Sequence, residues 1–431
     1  MIASYLRLLR ANRNFRLLFA AQVISELGDW FYTLAVYSLL LELTHGKAES
    51  VGLAAVLQVL PGTFLSPTAG VLNDRLSRKA IMIGADLARF FIVLGMLFVR
   101  TPGMVWLVYP LLLLETIAVA FFEPAHSAVI PNMVEAPDVL TANALSSIAW
   151  SFCLAAGASI GGAVAALLGR DTVFVLNAFS FLASAWLIRR LAFHEQHTAG
   201  HGPLRAGDLF DFRPVLEGFR YIRGNPTLFA TVFVKLGGGL LGANLVLLPI
   251  LGERVFPVRA AGMDAAKGGL LGMSLLMGAR GVGALVGPVI AGQWAGDREA
   301  RLRRGILMGF LLACGGYVWL GAAGALALAC LAIALAHSGG STNWVFSTTL
   351  LQMHSDDRFR GRVFAADFGL CMLGVSASSY FAGVAIDLGV NPRSFATGLG
   401  LTMLVPALVW GATGGGIVFT KEGRSVTGRQ M

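Results

Sequence analysis

The sequence predicts an all-α integral membrane protein of twelve spans, and three observations carry that expectation. Of its 431 residues, 56% are hydrophobic and only 13% are charged, against about 25% charged in soluble domains. Apolar runs long enough to cross a bilayer, which takes roughly 20 residues each, recur along the whole chain. Most of the basic residues sit in every second connection.

The first six runs fall near 17–43, 51–72, 80–99, 104–123, 141–168 and 172–190. A polar stretch over 191–225 follows, and six more runs fall near 226–250, 268–291, 305–323, 325–350, 363–388 and 394–419. The region 305–350 is nearly continuous. Small residues at Gly321 to Gly324 suit a tight reversal there, with eleven spans as the alternative. The expected organisation is a six-helix bundle over 1–190, a connecting loop over 191–225 and a second six-helix bundle over 226–431. Within the loop, Val215 to Tyr221 around Glu217 and Arg220 reads as a short amphipathic helix.

Charge placement gives the orientation. Twenty-three of the 33 Lys and Arg residues lie in the segments 1–16, 73–79, 189–225, 292–304, 352–362 and 420–431, and seven lie in the opposite connections. An excess of Lys and Arg marks cytoplasmic loops, so both termini are expected in the cytoplasm and the chain in the cell (inner or plasma) membrane. The pI near 9.8 therefore reflects membrane orientation, because the cations are spread over all inner loops and not gathered into a nucleic-acid face. The first run is too long, and with Glu26 and Asp29 too acidic, for a cleaved signal. Cys153, Cys314, Cys330 and Cys371 sit inside apolar runs and read as small core residues. His194, His197 and His201 lack the i,i+4 spacing of a zinc helix, so neither a metal nor a cofactor is expected. No Walker loop, G-x-S-x-G or H-E-x-x-H is present, which argues against an enzyme and against a nucleotide-driven pump. A non-transport receptor is the least favoured alternative.

Ionisable residues deep in a span cost at least about 2.5 to 3.5 kcal/mol, so they are expected to face a cavity or a partner. Gln22, Glu26 and Asp29 are spaced at about one helical turn and share a face of the first span. Asp29 lies roughly 18 to 20 Å in, just past the midplane. Lys235 in span 7, Arg280 in span 8 and Glu115 in span 4 are also deep. The expectation is one cavity lined by these charges, with Lys235 pairing with Glu26 or Asp29, and with Asn143 and Asn343 as further polar lining. Asp86 and Arg89 form an i,i+3 pair near the inner end of span 3 and read as support for a cytoplasmic gate. The glycines at 237–239, 281, 283 and 287 read as close-packing positions.

Between spans 2 and 3 the chain reads Gly70-Val-Leu-Asn-Asp74-Arg75-Leu-Ser-Arg78-Lys79. This resembles the G-x-x-x-D-R-x-G-R-K loop of the major facilitator superfamily, with Ser77 in place of Gly. A degraded counterpart in the second half is Gly292-Gln-Trp-Ala-Gly296-Asp297-Arg298. Two further segments, Phe122-Glu-Pro124-Ala-His126 to Pro131 with Ala142-Asn143-Ala-Leu145, and Gln352 to Val363, resemble drug and siderophore exporters such as macrolide efflux proteins and the enterobactin exporter. The span-5 antiporter pattern G-P-x-x-G-G appears as Gly157-Ala158-Ser-Ile-Gly161-Gly162, without its proline. The resemblance implies two pseudo-symmetric six-helix bundles around a central cavity. It implies that Asp74 with Arg75, Arg78 and Lys79 latches the halves at the cytoplasmic mouth, for which Glu123 and Asp367 are the expected partners. It also implies secondary active export of an amphiphilic small molecule, a drug, macrolide or siderophore-like compound, with protons as the coupling ion neutralising Asp29 or Glu26. One chain forms a complete pathway, so a functional monomer is expected. A lysophospholipid or metabolite carrier of the same fold is the alternative.

Overall fold

A computed structural model describes residues 2–193, 195, 213–259, 263–296 and 298–413, which are helical with no strand among them. Twelve long helical segments account for most of the chain. In the first half they are α1 (Arg13–Leu43), α2 (Ala48–Arg75), α3 (Arg78–Gly95), α4 (Val108–Val129), α5 (Val139–Leu168) and α6 (Arg170–Arg189). In the second they are α7 (Pro226–Val255), α8 (Ala265–Ala295), α9 (Glu299–Ala322), α10 (Leu326–His354), α11 (Asp357–Asp387) and α12 (Pro392–Ala412). Ten of them are long and apolar enough to cross a membrane. The other two, α1 and α10, have 31 and 29 residues, ample for a roughly 30 Å core at 1.5 Å per residue. Their apolar character is diluted by the polar residues that matter below, including Gln22, Glu26 and Asp29.

The chain writes its own helix boundaries. Side chains of Asn12, Ser77, Asn225, Asp264 and Asn391 accept hydrogen bonds from the first-turn amides of α1, α3, α7, α8 and α12, satisfying donors that lipid cannot. Gly169, at φ 87°, is the single residue between α5 and α6, a left-handed conformation that favours glycine. The expected reversal in 305–350 is found, with α9 ending at Ala322 and α10 beginning at Leu326. Several helices overrun their apolar cores, because polar residues extend α1 back to Arg13 and α8 forward to Ala295. α7 continues to Val255 through a 3-10 turn after Gly237 to Gly239 and a final π turn. The amphipathic helix expected in the connection runs over Arg213–Arg223. It buries Ile222 against Leu228, Val232 and Leu351 and ties Glu217 to Arg362 at 2.7 Å. His194, His197, His201 and Asp297 lie outside the described residues.

Packing repeats between the halves. α1 packs on α5 and α6 as α7 packs on α11 and α12; α2 packs on α4 as α8 packs on α10; α3 packs on α4 and α6 as α9 packs on α10 and α12. The halves meet along two equivalent seams, α2 with α11 and α5 with α8. Each seam exchanges the second helix of one half with the fifth of the other, as a pseudo-twofold axis requires.

Both seams are tight at one end only. A β-carbon at Gly383 of α11 would lie 2.8 Å from Ala48 O and Glu49 Cα, one at Gly52 would lie 3.1 Å from Ser379 O, and one at Gly281 would lie 2.5 Å from Ala155 Cα. At the other end, where α1 starts and α12 finishes, a β-carbon at Gly70, Gly292 or Gly361 would meet nothing within 4 Å. The halves therefore touch at the end away from the basic connections and part toward the basic end.

Within a half, packing is close enough to test directly. A β-carbon at Gly316 would lie 2.7 Å from Ala332 O and Ala336 Cβ, whereas one at the adjacent Gly315 meets open space. Gly316→Leu is expected to destabilise the detergent-solubilised protein by about 1–3 kcal/mol. Gly315→Ala should leave its thermal midpoint unchanged or raised.

Candidate functional site

The charged cluster of the first half centres on Arg89, buried at 3% exposure on α3. Its Nη2 lies 2.6 Å from Asp29 Oδ2 of α1 and 3.2 Å from Glu115 Oε1 of α4, and its Nη1 lies 3.7 Å from Asp86 one turn away. The Phe181 ring of α6 covers the guanidinium at 3.9 Å, a favourable cation–π approach. One cation thus faces three carboxylates contributed by three helices. Asp86 and Glu115 are buried, whereas the Asp29 side chain is 31% exposed. Asp29 Oδ1 and both Asp86 oxygens have no hydrogen-bond partner. A guanidinium has five donors in a planar fork, so Arg89 can hold one acid while releasing another.

This arrangement corrects two expectations. Asp86 and Arg89 do not form a gate brace at the mouth: Arg89 turns inward to Asp29 and Glu115 because those acids offer charge where water does not. Nor does Lys235 pair with Glu26 or Asp29. It is buried on α7 and forms an ion pair with the fully buried Asp367 of α11, under the Trp344 ring at 4.5 Å. Asp367, expected among the gate residues, is consequently withdrawn into the second half. The single cavity of mixed charges resolves into an acid-rich cluster in one half and a matched pair in the other.

Glu26 and Arg280 belong to neither. Glu26 Oε1 accepts a hydrogen bond from Gln22 Nε2 at 2.9 Å, and the same amide nitrogen bonds Ser146 O of α5 at 3.2 Å. Arg280 of α8 meets Met277 Sδ at 3.9 Å and the Trp30 ring at 5.8 Å. Asn143 is exposed on α5. Asn343, expected to line the cavity, is buried where α10 meets Gly309 of α9; a small residue opposite it admits the amide into that seam. An apolar cavity of about 390 Å³ between α7 and α12, lined by Phe233, Leu240 and Trp410, touches none of these charges.

At the basic end Arg78 and Lys79 are engaged within their own half. Arg78 donates to Asn73 O at 3.2 Å and Ala128 O at 2.9 Å, fastening the ends of α2 and α4, and stands 3.6 Å from Asp74. Lys79 donates to Leu191 O at 2.7 Å. Asp74 is 67% exposed, and Glu123 is exposed. Among the described residues, Arg78 and Lys79 pair with neither Glu123 nor Asp367.

Residues 18–379 match the sequence profile of the Major Facilitator Superfamily. The chain belongs to that superfamily. A putative bacilysin exporter of Bacillus amyloliquefaciens is 26% identical over 83% of this chain and 86% of its own length. Macrolide efflux protein A of Streptococcus pyogenes is 29% identical over 67% and 68%. The chain spans 65% and 56% of the lengths of two Bacillus subtilis (strain 168) relatives named as uncharacterised MFS-type transporters, at 27% and 25% identity. Among solved structures, a POT family transporter aligns with TM-score 0.71 at 14% identity over 92% of this chain and 95% of its own. An inward-facing bacterial homologue of the lysosomal transporter Spinster aligns with TM-score 0.65 at 14% identity over 93% and 95%. These likenesses are of fold. The protein is a multi-pass membrane protein of a transporter superfamily.

For a superfamily member, the closed end holds a contact that sequence reasoning missed. Asp387, the last residue of α11, accepts hydrogen bonds from the Ala48 and Glu49 amides at 2.9 and 2.8 Å, so a carboxylate from one half caps the N-terminus of α2 in the other. Anions are stabilised at that position. Tyr380 donates to Glu49 Oε1 at 2.7 Å, and Arg254 donates to Gly46 O. An acid followed by Leu-Gly at the end of the eleventh run was the available signal, but nothing in the sequence tied it to residue 48.

Two expected outcomes follow from these contacts. Arg89→Gln leaves three acids without a cation and should cost about 3–5 kcal/mol in thermal unfolding, more than either Asp29→Asn or Glu115→Gln alone. Asp387→Asn should loosen the closed end without loss of folding, seen as faster modification by a water-soluble thiol reagent of a cysteine placed at Tyr380.

Proposed function

We propose that this chain is a secondary active exporter of an amphiphilic small molecule, coupled to protons and working by alternating access in the plasma membrane with its basic end in the cytoplasm. Orientation rests on the Lys and Arg bias, and it makes the described conformation inward-open. The proposed cavity group is Gln22, Glu26, Asp29, Glu115 and Arg280 with the Arg89 cluster behind them. Gly70, Asp74, Arg75, Arg78 and Glu123 form the proposed cytoplasmic gate, which closes when the halves rock together at that end. The efflux relatives support export and an amphiphilic substrate.

The observation that carries the coupling is the sharing of Arg89 by Asp29, Glu115 and Asp86. Three carboxylates against one cation in a low-dielectric interior leave excess negative charge, which a proton removes at little geometric cost. Asp29 is the most exposed of the three. A proton on Asp29 frees Arg89 to Glu115 and Asp86, changes the tie between α1 and α3, and so biases which end is open.

The test is efflux of a dye and toxic-compound panel from inverted vesicles under an imposed proton gradient. The wild type should drive efflux that collapses with the gradient, and Asp29→Asn should reduce gradient-driven efflux at least tenfold while inserting normally. Full gradient sensitivity in the Asp29→Asn, Glu26→Gln double variant would overturn the coupling.

A further inference from the structure

The other deep charges singled out above have partners among the described residues. Arg89 is shared among three acids, and Lys235 is matched by Asp367. Glu26 has no cation within ion-pair distance among the described residues, and Arg280 has no carboxylate; its contacts are a thioether and an indole face. The polar groups in electrostatic range of Arg280 are Tyr37, Tyr317 and His337, and they supply no acceptor of opposite charge. The Tyr37 hydroxyl is committed to Gln58 at 2.7 Å and that of Tyr317 to His337 at 2.9 Å. An uncompensated charge at membrane depth is costly and points to a function. Here there are two, of opposite sign, one on each half.

They flank the same tryptophan. Trp30 stands four residues after Glu26, on the same face of α1 and about 6 Å further along its axis. Its ring lies 5.8 Å from the Arg280 guanidinium and packs edge-on against Trp150 of α5 at 6.1 Å. Glu26, Trp30, Trp150 and Arg280 thus follow one another as an aromatic patch with an acid on the first half at one end and a cation on the second half at the other.

We propose that this patch binds a zwitterion whose ammonium pairs with Glu26, whose carboxylate pairs with Arg280, and whose apolar body lies on Trp30 and Trp150. A cationic substrate would leave Arg280 unpaired, and an anionic one would leave Glu26 unpaired. A zwitterion completes both charges and joins the halves. The separation, roughly 6 to 12 Å from the axial rise plus the ring distance, matches a peptide of two or three residues at about 3.5 Å each or an amino-acid conjugate of that length. Arg is suited to the carboxylate end because its planar fork binds carboxylate in a bidentate manner. This assignment rests on the exporter reading for transport but not for binding.

The test is binding to the full-length protein in lipid nanodiscs, followed by calorimetry and by tryptophan fluorescence, with alanyl-phenylalanine, its N-acetyl derivative and its C-terminal amide. Saturable binding of the free peptide is expected, weakened at least tenfold by blocking either end. Arg280→Gln should bind the free peptide and the amide alike, and Glu26→Gln should bind the free peptide and the N-acetyl derivative alike. Should either variant fail to fold, the wild-type comparison of the three ligands decides. Equal binding of a blocked and the free peptide, or no binding of any of the three to folded wild type, would overturn the assignment. Gradient-driven efflux without peptide binding overturns this site and leaves the exporter reading standing. Peptide binding without gradient-driven efflux does the reverse.

Discussion

Arg89 sets the terms for the first bundle. A guanidinium buried in a membrane protein must be compensated, and here the compensation comes from three helices at once: Asp29 of α1, Asp86 of α3 and Glu115 of α4. Phe181 closes the remaining face from α6. Four of the six helices of that half are therefore registered on one side chain. Buried ion pairs contribute poorly to net stability but strongly to registry, and three acids sharing one cation make the registry changeable. In the proposed cycle, the contact that fixes the bundle is also the one a proton alters.

The second bundle repeats the packing of the first without repeating its chemistry. α7 occupies the place of α1, and Lys235 answers Asp367 of α11 in a matched pair. Such a pair has no surplus charge to trade. The asymmetry divides the work of the proposed cycle: one half changes its internal tie with protonation, while the other moves as a rigid body against it. At the closed end the halves are joined by backbone amides of α2 held by Asp387 and by glycine-lined approaches. These are short contacts that small rotations remove, as rocking of two bundles requires.

The twelve spans, their order and the two-half organisation were legible because lipid demands long apolar helices and because capping residues such as Asn12, Asn225 and Asn391 stand where those helices start. Depth was legible too: Glu26, Asp29, Glu115, Lys235 and Arg280 were singled out by position alone. Pairing was not. Residues 89 and 115, or 235 and 367, are joined by the rotation of each helix about its axis, which hydropathy does not report when most faces are apolar. Asp86 and Arg89 were misassigned to the mouth because i,i+3 spacing favours a local pair, whereas the lower-dielectric centre offered Arg89 stronger partners. Asn343 was misjudged for a related reason, since a polar residue on a span serves a helix seam as readily as a cavity. The motif around Asp74 was readable as a motif, but nothing in it told that Arg78 would fasten the ends of α2 and α4 within one half.

The most direct measurement of the central claim, that the shared tie of Arg89 governs which end is open, is double electron–electron resonance on the protein in nanodiscs. One spin-label pair would sit at the basic end, on Ala80 and Ala300, and another at the closed end, on Lys47 and Val390, all exposed positions. The account predicts that lowering the pH moves the two distances in opposite senses in the wild type, and that Asp29→Asn holds them near their low-pH values at every pH. Distances that respond to pH identically with and without Asp29 would contradict it.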